Sequence, residues 1–235
     1  MQSLLTVDLL PLALLAGIIG LDVVSFPQSM ISRPVVGATL AGAFFGAPMA
    51  GLFCGAALEC LALEQLPVGA SRYPEWGSAS VVVGALAARG ATATSMPSPS
   101  MFVLATIVGI ATAWIGGWTM VWLRQLIAAF AHPRLAQLSA GNRRTVVGLQ
   151  VFGMTADFTR AAALAVIAYV PATILSTFMD AHWSVAAGPS RAAVITSVAA
   201  VAATAVWKDF HAISGTRRLF LASLAVGTLL VSLGV

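Results

Sequence analysis

The chain has 235 residues, of which 59% are hydrophobic and only 9% charged, with a mean hydropathy of +0.94. A soluble domain carries about a quarter charged residues, so this composition implies an integral membrane protein with no room for a soluble catalytic domain. The net charge of +4 comes mostly from arginines at the ends of oily segments, and with no basic run interleaved with aromatics it excludes nucleic acid as a partner.

At about 20 residues per crossing, this length allows roughly six to eight spans. Residues 4–26 form the first apolar segment, interrupted by Asp8, Pro11 and Asp22. With no charged leader and no small-residue cleavage site, it reads as a retained span rather than a signal peptide. The polar break SFPQSMISRP follows, and Pro34 is expected to open the next helix at its first position. Residues 35–63 are rich in small residues, with Gly42/Gly46 and Gly51/Gly55 spaced for close helix approach. Gly46-Ala47-Pro48 predicts two shorter helices or a kink. Residues 58–77, LECLALEQLPVGASRYPEWG, place charges in a proline-broken stretch, and residues 78–95 read as a weak helix held against protein. Met96 to Ser100 reads as a linker.

Four simpler spans are predicted at 101–123, 146–178, 191–207 and 219–235. The 124–145 connection holds Arg124, Arg134, Arg143 and Arg144 with no acid, and 208–218 is also basic, so both are expected on the cytoplasmic side. The 179–190 connection and the C-terminus are then expected outside. The predicted fold is an all-α polytopic membrane protein, with broken or re-entrant helices in a substrate-site half, 1–100, and simple spans in 101–235.

Charged groups at membrane depth are expensive and usually face a cavity, a path or each other. The candidates are therefore Glu59, Glu64, Glu75, Arg33 and Arg72. A carboxylate can accept two hydrogen bonds from vicinal sugar hydroxyls, or carry a proton. The competing reading is mutual neutralisation, as in a Glu75–Arg72 pair. Gly69-Ala70-Ser71, between Pro67 and Pro74, is expected to form an unwound segment whose free backbone groups line a site. Asp22 and Gln28 read as polar ligands or as helix-end residues. Asp157 and Arg160, three apart on one face, are expected to neutralise each other. His132, His182 and His211 fall in predicted loops without catalytic partners. Cys54 and Cys60 lack metal or disulfide spacing, and no cofactor is expected. The tryptophans fit interfacial belts better than a sugar-stacking platform.

Three runs carry a resemblance: SRPVVGATLAGAFFG from Ser32 to Gly46, G-L-x-x-G-x-x-L-E from Gly51 to Glu59, and G-A-x-x-x-P-E from Gly69 to Glu75. Together they resemble the IIC permease subunit of the mannose/fructose/sorbose family of the bacterial sugar phosphotransferase system. The resemblance implies a subunit of the cytoplasmic (inner) membrane that moves a hexose-type sugar by an elevator-like motion, with an obligate IID membrane partner in a higher oligomer. It also implies that phosphate comes from separate IIA/IIB components, so the chain itself is not an enzyme. By position, Glu59 corresponds to the family's glutamate after leucine, and Gly69, Ala70 and Pro74 to its re-entrant turn. Glu75 stands where aspartate is usual, and Glu64, Pro67 and Arg72-Tyr73 depart from the family pattern. Two other readings compete with it. One is a regulatory or structural membrane subunit without turnover. The other is a proton-coupled transporter using Glu59 or Glu64.

Overall fold

The computed structural model describes residues 2–63, 72–91, 96–210 and 215–232. Its elements are helices: α1 (Gln2–Asp22), α2 (Pro34–Phe44), α3 (Pro48–Ala62), α4 (Trp76–Arg89), α5 (Pro99–Ala131), α6 (Leu135–Ser139), α7 (Arg143–His182), α8 (Ala187–Phe210) and α9 (Thr216–Ser232). A short 3₁₀ turn, His132–Arg134, joins α5 to α6. Among the described residues the sole β-type pairing is an isolated Ala91–Pro97 bridge.

Many of the buried positions carry small side chains, beside large ones such as Leu12, Leu58, Leu86 and Phe102, and much of the exterior is large and apolar. Ala38, Ala41, Ala50, Ala105, Ala161 and Ala165 are fully buried, while Ile107, Trp122, Ile167 and Ile174 are each at least 60% exposed. That arrangement suits a lipid environment. There, close backbone packing holds helices together, and large apolar residues face the acyl chains. The α2–α3 pair shows the packing directly. Gly46, at φ +90°, and Pro48 break the helix, and the two halves fold back on each other. A side chain at Gly42 would stand 2.9 Å from the Cα of Gly51, and one at Gly55 2.8 Å from the carbonyl oxygen of Pro34. The predicted close approach is present at Gly42, Gly51 and Gly55 but not at Gly46, which has nothing within 4 Å and instead marks the predicted break. Pro34 stands at the first position of α2.

Helix α4 sits at the centre. Every residue from Gly77 to Ala87 is buried, and α4 packs against α1, α2, α3, α5 and α7. Its 14 residues span about 21 Å, short of the ~30 Å hydrocarbon core. It is held by protein on all sides, as its marginal hydropathy requires.

By length and composition, α5 with its continuation to Ser139 and α7 are each apolar enough to cross a membrane. The boundaries depart from expectation at three places. Pro99 and Ser100 belong to α5, capped by Ser98, rather than to a linker. The 124–145 connection is mostly helical, since α5 runs to Ala131 and α7 starts at Arg143, so Arg124 is a helix residue and no loop residue. His132 begins the 3₁₀ turn and His182 ends α7, while His211 lies outside the described residues. The causes are local: Pro99 opens α5 at its first position, where a proline is tolerated, and the polar residues after Leu123 do not stop a helix that meets no glycine or proline before Pro133.

Candidate functional site

The break after α1 is organised by one carboxylate. Asp22, 2% exposed, accepts from the backbone N–H of Ser29 at 2.5 Å and of Ser32 at 2.9 Å, and from both hydroxyls at 3.0 and 2.8 Å. Its oxygens are fully engaged in holding the 23–33 segment, which includes a cis Phe26–Pro27 bond and left-handed Gln28 and Met30. Gln28 is exposed and donates to the Val24 carbonyl at 2.8 Å. These two sequence candidates act as the ordering residues of the break.

Arg33 ends that segment and meets Glu59 of α3. Its Nε donates to Glu59 Oε1 at 2.7 Å, its Nη2 to the same oxygen, and Oε2 accepts from Val35 N–H at 3.2 Å. A carboxylate at the first turn of α2 also stabilises the positive end of that helix. Glu59 is therefore neutralised and hydrogen-bonded while keeping 19% side-chain exposure.

The segment Tyr73-Pro74-Glu75 lies against α5. Glu75 N–H donates to the Ala113 carbonyl at 2.8 Å. Gly116 and Gly117 make room: a side chain at Gly116 would stand 2.8 Å from Glu75 Cβ, and one at Gly117 would strike the Tyr73 carbonyl oxygen. Glu75 caps α4 by accepting Ser78 N–H at 2.9 Å through Oε1. Its Oε2, fully buried, has no hydrogen bond among the described residues. The nearest cation is Arg160 of α7, whose Nη1 is 3.7 Å away.

Arg160 is shared. Its Nε donates to Asp157 Oδ1 at 3.0 Å and its Nη1 to Thr119 Oγ1 at 3.2 Å. Nη2 lies 2.9 Å from the same Asp157 oxygen but lacks hydrogen-bond alignment, so that contact is ionic and the Nε bond is the directional one. Ser25, just past α1, donates to Asp157 Oδ2 at 2.7 Å. The predicted Asp157–Arg160 pair is present, and it belongs to a larger cluster of two carboxylates and one guanidinium. That cluster joins the end of α1, the start of α4, α5 and α7.

The Glu75–Arg72 pair considered from the sequence does not form. Arg72 stands over the Trp114 and Trp118 rings, 5.9 and 5.0 Å from their centroids, a cation–π arrangement. Arg124 instead faces this segment, donating to the Tyr73 hydroxyl at 2.5 Å with its guanidinium 5.1 Å from the ring centroid.

Three cavities adjoin these residues, one of about 510 Å³ being lined by Arg72, Trp114, Trp118, Thr119 and Trp122. A small one of about 60 Å³ lies between Ser32, Arg33, Tyr73, Pro74 and Trp76. A larger one of about 270 Å³ includes Ser25, Arg124, Gln150 and Asp157 among apolar residues of α5 and α7, close to the lower size of small-ligand sites. Sequence reasoning did not single out Ser25, Thr119 or Gln150, and it noted Arg124 only as a topology charge and Tyr73 only as a departure from the family pattern. One signal pointed to Arg124: a charge in an acid-free stretch needs a partner from elsewhere. Glu64, Gly69, Ala70 and Ser71 lie outside the described residues.

The family model described as PTS system sorbose-specific IIC component matches residues 6–188. No curated protein matches the chain in sequence. A solved structure described as a membrane protein superimposes with a TM-score of 0.73 at 22% identity, covering 97% of this chain and 91% of its own. The cryo-EM structure of the mannose transporter ManYZ with microcin E492 (MceA) gives 0.58 at 20% identity, covering 97% and 94%. Both similarities are in fold.

Proposed function

This chain belongs to the PTS sorbose-specific IIC component family and is a membrane subunit of sugar transport, and from that premise we propose that it carries a hexose-type sugar through the site beside Tyr73–Glu75. The observation that carries this reading is the buried Glu75–Arg160–Asp157 cluster bordering the polar cavity of Ser25, Arg124, Gln150 and Asp157. Carboxylate, amide, hydroxyl and guanidinium groups together offer the donors and acceptors that ring hydroxyls need. In this reading Glu64, Gly69, Ala70 and Ser71, which lie outside the described residues, also contribute to sugar binding. Asp22, Gln28, Glu59 and Pro34 hold the wall, with Arg33, Arg72 and Pro74 as structural support.

Transport proceeds with a IID membrane subunit in a higher oligomer of the bacterial inner membrane, with the basic 124–145 and 208–218 connections on the cytoplasmic side. Phosphoryl groups are carried by cytoplasmic IIA/IIB chains. The movement is elevator-like. The contacts of Glu75 with Ala113 and Arg160 support a movement in which the substrate-site half, 1–100, does not slide alone. The moving body therefore includes the parts of α5 and α7 that enclose α4. A proton-carrier role for Glu59 would require breaking its bonds to Arg33 and Val35, which leaves the coupled-transporter reading to Glu64, outside the described residues.

Uptake of labelled hexoses by cells expressing the IIC–IID pair tests the proposal. Gln150→Ala is expected to lower uptake about tenfold or more through lost hydrogen bonds, while Ser139→Ala, at an exposed position away from the site, leaves it within twofold. Absence of sugar binding by the purified pair with any hexose would sink the transport claim. Wild-type uptake in Gln150→Ala would move the site elsewhere.

A further inference from the structure

Helices α5 and α7 form one long antiparallel hairpin. Ser100 donates to Asp180 at one end, Arg160 reaches Thr119 midway, and the Phe130 and Phe152 rings lie 4.7 Å apart near the other end. The bundle covers only part of it. Met120 is the last buried residue of α5, and Asp157 the first of α7. Leu123, Arg124, Ile127, Leu149 and Gln150 still face the end of α1 across the cavity described above, but residues 128–148 project beyond the bundle, with Phe130, Leu135, Val146 and Val147 each more than 40% exposed.

The projection is also charged with one sign. No acidic residue occurs between Glu75 and Asp157. Arg124 is held on Tyr73, while Arg134, Arg143 and Arg144 form no ion pair among the described residues. Between the two helices, Phe130, Arg134, Arg144, Thr145, Leu149 and Phe152 line a groove of about 440 Å³. One side of the Arg134 guanidinium is anchored, Nη1 donating to the Phe130 carbonyl at 2.5 Å.

The length of α5 sets the depth of this groove. Its 33 residues extend about 50 Å, against a hydrocarbon core of about 30 Å and a bilayer of about 40–45 Å with head groups. A spanning α5 thus brings the Phe130–Arg134 turn to the head-group layer. We propose that this groove binds an anionic phospholipid, its phosphate on Arg134 and Arg144 and its glycerol and upper acyl carbons on Phe130, Leu149 and Phe152. Guanidinium groups match phosphate geometry, and basic pockets between membrane helices favour anionic head groups. The apolar floor beside the arginines distinguishes a lipid from a free anion.

The test uses the detergent-purified full chain, exposed to equal amounts of phosphatidylglycerol and phosphatidylcholine, with retained lipid read by native mass spectrometry. Phosphatidylglycerol is expected to be kept in preference, less so as salt rises. The Arg134→Gln/Arg144→Gln variant is expected to lose it on the order of thirty-fold, with unchanged circular dichroism. Equal retention of both lipids, or undiminished retention by the variant, overturns the proposal. Full displacement by inorganic phosphate at similar concentration would also overturn it, in favour of a bare anion site. So would loss of phosphatidylglycerol when a IID subunit is co-purified, which would show that protein covers the groove. The salt dependence of the wild type needs no variant and stands as an independent check.

Discussion

The two ends of the α5–α7 hairpin treat charge in opposite ways. Inside the bundle, Arg160 is 9% exposed and lies among Asp157, Thr119 and Glu75. On the projecting end, Arg134 and Arg144 are exposed beside aromatic residues, with no carboxylate among the described residues near them. The same side-chain type therefore does two jobs on one pair of helices. Where water is excluded, a guanidinium persists only with its counter-charges built in. At the head-group layer it needs none from the protein, because solvent and lipid supply them.

The largest effect that could break this contrast is on stability. Arg160→Ala leaves Asp157 and Glu75 buried without a cation, which is expected to cost roughly 3–5 kcal/mol. Arg144→Ala, at an exposed position, is expected to change stability by no more than about 0.5 kcal/mol. Thermal unfolding of the purified protein in one detergent compares them directly. Equal effects would mean that the buried cluster is not what binds α1, α4, α5 and α7 together.

A second, smaller contrast lies in the glycines of the same two helices. A methyl at Gly116 would stand 2.8 Å from Glu75 Cβ and 3.0 Å from Leu164 Cδ2, whereas Gly148 has nothing within 4 Å. Gly116→Ala is expected to destabilise by about 1–3 kcal/mol through overpacking. Gly148→Ala should stabilise by about 0.5–1 kcal/mol through helix propensity. The sign difference between the two variants is the readout, and a shared sign would refute the packing argument.

Much of the fold was legible in the residues, because it rests on local signals. Pro34 and Pro48 start helices where the backbone must turn, and the spacing of Gly42, Gly51 and Gly55 anticipated the α2–α3 contact. Asp157 and Arg160, three apart, announced their own pair. The wider cluster was not legible. Ser25 and Asp157 are 132 residues apart, and nothing local says that the end of α1 reaches the middle of α7. Arg72 was given to Glu75 because they are neighbours in sequence. Yet Glu75 turns inward to cap α4, while Arg72, on the far side of Pro74, finds tryptophan faces instead. Glu59 reads from the sequence as a candidate site carboxylate with no partner in view. Its Arg33 partner comes from the α2 fold-back, a tertiary event.

The smallest predicted effect probes how well the core around α4 is satisfied. Ser78 is fully buried, and its Oγ has no hydrogen-bond partner among the described residues. A neighbouring serine in the same helix, Ser80, is equally buried but donates to the Gly77 carbonyl at 2.7 Å. Removing a hydroxyl that makes no bond relieves its desolvation penalty, whereas removing one that does loses a modest bond. Ser78→Ala is therefore expected to be neutral or stabilising by up to about 1 kcal/mol. Ser80→Ala should cost about 0.5–1.5 kcal/mol, measured as before by thermal unfolding. If Ser78→Ala destabilises as much as Ser80→Ala, the Ser78 hydroxyl has a partner. The start of α4, beside the unpaired Glu75 oxygen, would then hold an ordered water rather than a dry contact.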